Sequence, residues 1–143
     1  MNVVNINLKW LGPYLMRDRP KLRTDKILGS GFYMFLARME PKPLYIGQAY
    51  YKSIRSRITS HRSYTDRVGR WAYDHGVSIE EVEFKVAYFM SDDKTLHRDV
   101  ENLLVYSAKP ILNKDFKDAY HGRKFKIHNK GKYKPLEDEI TSP

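Results

Sequence analysis

The chain has 143 residues, a length that suits one compact domain around one core and leaves little room for a second. Hydrophobic residues make up 41% and charged residues 30%, an ordinary globular composition that argues against disorder, and the absence of cysteine excludes disulfides, a thiolate nucleophile and a cysteine-ligated zinc site. Lys and Arg number 26 against 17 Asp and Glu, so the formal charge is +9. This charge makes nucleic acid the first candidate partner, and it also suits an acidic protein, a lipid or simple solubility.

The first residues carry no basic segment followed by an apolar one, and no run of apolar residues approaches the length of a membrane span. The sequence therefore predicts an intracellular, cytoplasmic protein that has neither a signal peptide nor contact with a membrane.

The N-terminal segment shows a period of two, which is typical of a half-buried strand. Gly12-Pro13 is expected to end this strand. Residues 13–30 combine two Pro with many charges and no sustained period, so they predict a basic loop or arm. The alternating apolar positions of the strand are Val4, Ile6, Leu8 and Trp10.

The next segments predict a β-hairpin and a further strand. The run GFYMFLAR from Gly31 and the run LYIGQA are both rich in strand-forming residues, and the turn-like segment 40–43 separates them. Further along, VEFKVAYFM alternates apolar Phe84 and Val86 with polar neighbours and predicts a third strand of the main sheet.

Two helices are predicted between the hairpin and the third strand. Ile54 and Ile58 are four residues apart, so a helix should turn both inward and place Arg57 beside them. A second helix is expected over residues 65–75, with Gly76 as its C-terminal stop. Its apolar side would consist of Val68, Trp71 and Ala72.

A third helix is predicted after the N-cap residues Ser91-Asp92-Asp93, and it should end before Pro110. This helix carries Glu101. Its apolar face would consist of Leu96, Val100, Leu103 and Leu104.

The last segment, from Lys114, is rich in cations. Phe125 and Ile127 alternate with Lys and Arg, and residues 129–131, Asn-Lys-Gly, could form a hairpin turn. The acidic end LEDEITSP is expected to fray. One domain over residues 1–143 is predicted, made of a strand and basic arm (1–30), a core (31–113) and a basic extension (114–143).

Two tripeptides carry a family resemblance. GFY at 31–33 and YIG at 45–47 resemble the paired strand motifs that name the GIY-YIG nuclease family. The resemblance continues in order with Arg57 on the following helix, which has His61 four residues later. Arg55 is a rival for the family arginine, because Arg57 lies further from the YIG glycine than in the shorter family members. The flanking Ile54 and Ile58 and the histidine at i+4 favour Arg57.

The segment ENLLVYSAKPILN completes the match, because it resembles the family segment in which a helix glutamate precedes a Lys-Pro-x-x-Asn turn. Here Glu101 would be the glutamate and Asn113 the asparagine. The resemblance covers residues 31–113 and neither flanking segment. It implies a small α/β (α+β) fold in which an antiparallel three-stranded central sheet is flanked by helices.

The resemblance also implies a metal-dependent DNA endonuclease. Tyr33 would be the general base or would orient the attacking water, with Tyr45 beside it, and Arg57 would stabilise the phosphate through its fork of donors. His61 would act as a proton relay or phosphate ligand. A phenol with a pKa of about 10 is a poor base at neutral pH, so both roles stay open for Tyr33.

Glu101 would hold a single Mg²⁺ or Mn²⁺, since one carboxylate suits a magnesium ion that keeps most of its waters and takes the substrate phosphate as a further ligand. Asn113 would fix the backbone near the site, and Gly47 would allow the backbone to approach closely. The basic residues expected to contact the DNA backbone are Lys52, Arg55, Arg62, Arg67, Arg70, Arg123, Lys124 and Lys126.

Two other functions fit the sequence less well. One is an inactive GIY-YIG-like module that binds nucleic acid without cutting it, and the other is a basic RNA-binding protein. Within the nuclease hypothesis, the lack of a recognisable DNA-reading module favours a stand-alone restriction or phage-type enzyme. A two-fold homodimer would let a single-site enzyme cut both strands.

Overall fold

The computed structural model describes residues 4–22, 29–50 and 52–143. Within these ranges no helix combines the length and the apolar character needed to cross a membrane. In chain order the elements are β1 (Val4–Leu15), a 3-10 helix (Met16–Lys21), β2 (Gly31–Leu36), β3 (Tyr45–Ala49), α1 (Ile54–Ser60), α2 (Arg67–Asp74), a further 3-10 helix (Ile79–Glu81), β4 (Glu83–Tyr88), α3 (Lys94–Ala108), β5 (Phe125–Gly131) and β6 (Glu139–Thr141).

The strands form one six-stranded sheet in the order β3-β2-β4-β1-β5-β6. The predicted α+β class is confirmed, whereas the predicted three-stranded sheet is wrong. The three expected strands are present, with β2 antiparallel to both β3 and β4. The other three strands come from the two terminal segments. The partners of β1, which are β4 and β5, are too distant in sequence for local periodicity to reveal.

The sequence predicted that β1 ends at Gly12-Pro13, but the strand continues beyond this pair. It pairs in parallel with β5 over its first half, from Val4 opposite Phe125, and then antiparallel with β4 as far as Leu15. The register shifts between Leu11 and Tyr14, so the Gly-Pro pair is accommodated as an irregularity within the strand.

The prediction of a basic arm over residues 13–30 is also wrong for the residues of this range that the structure describes. Its first residues belong to β1, and Met16–Lys21 form a 3-10 helix in which Met16 is fully buried. Leu22 is buried as well. Residues 23–28 of the predicted arm lie outside the described residues.

The C-terminal segment corrects two further predictions. Residues 129–131 make no hairpin turn, because they lie within β5 and pair with β1 as far as Trp10. The acidic end is not frayed, because β6 pairs with β5 and buries Ile140, while Leu136 is buried in the same core. Burial of these two apolar side chains holds the otherwise polar terminal segment in place.

The three predicted helices are confirmed, and their caps follow from the sequence. The side chain of Asp66 caps α2 and that of Asp93 caps α3 by accepting a backbone N–H. Gly76 has a positive φ of 67° just after α2, the conformation expected at a helix stop.

Hydrophobic residues cover both faces of the sheet. On one face α3 packs over Phe32 and Met34, and on the other α1 and α2 pack over Tyr33 and Phe35. Alternate residues of the central strand β2 therefore enter different cores. This alternation places the Tyr33 side chain under α1 and α2.

Candidate active site

Tyr33 lies fully buried in the middle of β2, directly opposite Gly47 of β3. A Cβ atom at position 47 would come within 2.5 Å of the Tyr33 phenol oxygen. The missing side chain of Gly47 therefore makes room for the phenol above the sheet.

His61 ends α1 and meets Tyr33 over the sheet. Its Nε2 lies 2.8 Å from the Tyr33 phenol oxygen, and its ring is buried. The contact follows from the local fold: Ile54 and Ile58 anchor α1 in the core, and His61 takes the C-cap position just after the helix. The predicted Tyr33 and His61 thus meet in one hydrogen bond.

Asp66 extends this contact into a chain of three side chains. Its Oδ2 lies 2.9 Å from His61 Nδ1 and also accepts the backbone N–H of Val68 at 2.9 Å, which makes it the N-cap of α2. A carboxylate at Nδ1 places the proton on that nitrogen, so Nε2 is left to accept the Tyr33 hydroxyl proton.

The sequence analysis missed Asp66 as a site residue. The available signal was its N-cap position directly before a helix, five residues after His61. Burial opposes ionisation of Asp66, but the hydrogen bond and charge of His61, then the Val68 amide and Arg67, outweigh it and lower the pKa of the carboxyl. Asp66 is therefore an anion positioned to stabilise a protonated His61.

Arg57 supplies positive charge to the same cluster. Burial raises the pKa of Tyr33 well above its usual value, and the Arg57 guanidinium opposes this through its charge and a hydrogen bond to the phenol. Arg57 likewise opposes the raised pKa values of Tyr45 and Glu101. Arg55 contributes to none of these three shifts.

Glu101 reaches the cluster from α3, which packs beside β3. Burial raises the pKa of its carboxyl to about 7, against the opposing effects of Arg57 and a hydrogen bond from the Gln48 backbone. Burial likewise raises the pKa of Tyr45, and Glu101 adds to that rise. Glu101 therefore interacts electrostatically with the tyrosines of both motifs.

Tyr45 borders the Tyr33–His61 pair. Its ring centroid lies 6.5 Å from that of Tyr33 and 5.0 Å from that of His61. The predicted residues Tyr33, Tyr45, Arg57, His61 and Glu101 thus converge from β2, β3, α1 and α3.

Asn113 lies on the free edge of β3. Its Oδ1 accepts the Ile46 N–H at 2.9 Å, and its Nδ2 donates to the Ile46 carbonyl at 2.9 Å. The side chain thus satisfies both edge groups of one residue, as a neighbouring strand would. Asn113 therefore braces the edge of the YIG strand.

The basic residues expected at DNA divide into two groups. Several form ion pairs within the protein: Arg62 with Glu80, Arg70 with Asp74, Arg123 with Asp93 and Asp99, and Lys126 with Glu139. Lys52, Arg67 and Lys124 are exposed, and Arg55 is half-buried. The ion-paired residues contact carboxylates of the chain itself, which competes with phosphate contacts.

His97, one turn before Glu101, takes no part in the cluster. It is fully buried and packs against Phe32, Phe89 and Tyr50, with ring centroids 4.7 to 5.8 Å away. Burial lowers the pKa of its imidazole. His97 therefore fills the core between α3 and the sheet.

The donor set around Glu101 fits one hard divalent cation. The described ranges contain no group of three or more His, Asp or Glu side chains suited to a metal, so a site closed entirely by protein ligands is not offered there. One carboxylate suffices for Mg²⁺, which keeps several waters. Burial raises the pKa of the Glu101 carboxyl, and a divalent cation bound to that carboxylate would oppose the rise.

Comparisons of the chain with protein-family models, with curated proteins and with solved structures find no match.

Proposed function

We propose that this protein is a metal-dependent DNA endonuclease of the GIY-YIG type, which hydrolyses phosphodiester bonds. One observation carries the proposal: the hydrogen-bonded chain from Tyr33 through His61 to Asp66, next to the charges of Arg57 and Glu101. A proton acceptor, a cation and a carboxylate are the groups that phosphodiester hydrolysis requires.

The hydrogen-bonded chain offers a route for the proton of the attacking water. As the water oxygen bonds to phosphorus and the bond to the leaving sugar oxygen breaks, the water proton passes to the Tyr33 oxygen. Tyr33 passes its own proton to Nε2 of His61, and the Asp66 carboxylate stabilises the resulting imidazolium. Concerted transfer avoids a free phenolate, which burial makes unfavourable at neutral pH.

Arg57 acts on the phosphate in this proposal. Its guanidinium presents several donors in a fixed plane, which match two oxygens of one phosphate. In a buried cluster such a charge stabilises the negative charge that develops on the phosphate more strongly than it would in water.

Glu101 would hold Mg²⁺ or Mn²⁺, which supplies Lewis-acid stabilisation of charge on the phosphate and the leaving oxygen. In the absence of a cation, the pKa of Glu101 near 7 leaves much of the carboxyl protonated at neutral pH. Binding at this residue is therefore expected to strengthen as the pH rises through 7.

DNA is the proposed substrate because of the formal charge of +9 and the family resemblance. The described part of each chain offers one such cluster, so cutting both strands would require a homodimer or two successive encounters. A restriction or phage-type role in the cytoplasm belongs to the same proposal.

The test is cleavage of supercoiled plasmid with Mg²⁺, with EDTA, and by the Glu101→Gln variant. Nicked or linear product is expected from the wild type with Mg²⁺, and neither with EDTA nor from Glu101→Gln. The matched control is Glu137→Gln, which changes an exposed glutamate in the same way and should cut like the wild type. Salt-dependent DNA binding without cleavage, across several divalent metals, would replace the nuclease proposal with the non-cutting binding module.

A further inference from the structure

A groove lies between α2 and the segment that follows α3. It encloses about 600 Å³ and is called the α2 groove below. Its basic walls are Arg67 and Arg70 of α2 and Lys114 and Lys117 of the facing segment. The stacked rings of Trp71 and His75, with centroids 4.2 Å apart, form a flat surface between these walls.

The charge of the α2 groove is unbalanced. Its four cationic side chains face one carboxylate, Asp74, which pairs with Arg70 at 3.2 Å. Arg67 and Lys117 donate instead to backbone carbonyls of the facing segment, at 3.5 and 3.3 Å. Among the residues that the structure describes, no carboxylate lies within 4.0 Å of the side-chain nitrogens of Arg67, Lys114 or Lys117. Three of the four cations that line the groove therefore form no ion pair within the described part of the chain.

A second groove on the same protein is neutral by contrast. It encloses about 320 Å³ and contains two cations and two carboxylates. Arg17 lies 3.9 Å from Glu81, and Arg38 lies 3.5 Å from Glu83. The excess charge of the α2 groove is thus a local property, beyond the general basic character of the chain.

The α2 groove lies next to the candidate active site. Arg67 lines it, and its charge also opposes the rise in the pKa of Tyr45. Asn113 lines it and also holds the edge of β3. A strand with one phosphate at the Tyr33 cluster would therefore have its neighbouring phosphates within reach of this groove.

We propose that the α2 groove binds the sugar-phosphate backbone of the substrate strand beside the scissile phosphate. Phosphates neutralise the excess positive charge, and the exposed His75 ring, backed by Trp71, offers a flat surface for a sugar or base. The identity of the substrate rests on the proposed nuclease function, whereas the groove itself is tested by binding.

The first test measures the affinity of a labelled DNA duplex in EDTA, where cleavage is not expected. The variant Lys114→Ala/Lys117→Ala is compared with Arg17→Ala/Arg38→Ala, which removes the same charge from the neutral groove. The α2-groove variant should raise Kd about tenfold and reduce the slope of log K against log salt by about two. The control should change Kd less than about twofold.

The second test uses the absence of cysteine from the chain. A single thiol introduced by Lys114→Cys should react with a maleimide several-fold more slowly when DNA is bound. A thiol introduced by Arg38→Cys should react equally fast with and without DNA. Melting temperatures of all variants show whether each one folds.

Equal weakening by both double variants, equal thiol reactivity with and without DNA, or failure of the wild type to bind DNA would each overturn the proposal. The two proposals fail separately. A wild type that binds through the α2 groove but leaves plasmid intact contradicts the nuclease alone, and one that cuts with Mg²⁺ while the groove variant binds normally contradicts the groove alone.

Discussion

The phenol oxygen of Tyr33 and Nε2 of His61 lie 2.8 Å apart, inside the core between the sheet and α1. Both side chains are buried. The bond therefore gives Nε2 of His61 a partner within the core, and the same bond can transfer a proton. Because one bond serves both stability and activity, conservative substitutions are needed to measure the two effects separately.

Tyr33→Phe removes the phenol oxygen and keeps the ring. Cleavage should fall by about 100-fold or more, because the proton route loses its first member. The free energy of unfolding should fall only by the cost of leaving His61 Nε2 without its partner, about 1–3 kcal/mol. Single-turnover cleavage and thermal unfolding measure the two effects. A Phe variant that cuts at the wild-type rate would contradict a proton-transfer or water-orienting role for Tyr33.

Asp66 can be tested by two substitutions that separate its roles. Asp66→Asn keeps a good N-cap for α2 but removes the negative charge at His61, so the cleavage rate should fall at least about tenfold with little loss of stability. Asp66→Ala also removes the cap and should cost about 1 kcal/mol more. The readouts are cleavage rate and the free energy of unfolding. If only the Ala variant loses activity, Asp66 acts as a helix cap alone.

The sequence predicted those parts of the fold that depend on short-range pattern. Residues three and four apart revealed α1 and α3, runs of strand-forming residues revealed β2 and β3, and alternation revealed β4. The parallel pairing of β1 with β5 joins Val4 to Phe125 and could not be read locally, since alternation does not identify a partner strand. The tail was misread because polar Asn129 and Lys130 resemble a turn, although parallel pairing with β1 holds them in β5.

The candidate site was predictable to a similar extent. The ordered motifs pointed to five side chains that do converge, because each lies on an element that local pattern predicts. Asp66 was missed because its contact with His61 depends on the turn between α1 and α2, which no periodicity describes. The sequence could not show which of the predicted DNA-contacting cations form ion pairs within the protein, since pairs such as Arg62 with Glu80 form only in the folded chain.

Glu101 should make stability depend on pH. The folded-state pKa of its carboxyl is raised from 4.5 to about 7, so the folded protein binds the proton more tightly than the unfolded chain. This stabilisation is fully present below about pH 4.5 and is lost as the pH rises to about 7, with a limiting slope of about 1.4 kcal/mol per pH unit. Denaturant unfolding across this range should show a flatter profile for Glu101→Gln.

A divalent cation should reverse that loss. At pH 8, Mg²⁺ should raise the melting temperature of the wild type and leave that of Glu101→Gln unchanged, because ligand binding to the folded state alone stabilises it. Glu137→Gln should respond to Mg²⁺ like the wild type. An identical Mg²⁺ response in Glu101→Gln would show that this carboxylate does not hold the ion.

Gly47→Ala should displace the phenol of Tyr33. The new Cβ would lie 2.5 Å from the phenol oxygen, so the ring must move away from His61, and overpacking of this kind costs about 1–3 kcal/mol. Gly29→Ala is the matched control, since its Cβ would meet Ser53 at 3.3 Å, where a small shift suffices. Cleavage should fall with the first substitution and persist with the second.

A double-mutant cycle identifies the cause of that loss. If the clash with Tyr33 is responsible, Gly47→Ala should cost much less in a Tyr33→Ala background, because truncation of the ring removes the three atoms nearest to the new Cβ, which lie 2.5 to 2.9 Å from it. Additive losses in the free energy of unfolding would instead place the cost in the β3 backbone. In that case Gly47 would be required by the strand itself, and the space that it leaves for the phenol would be incidental.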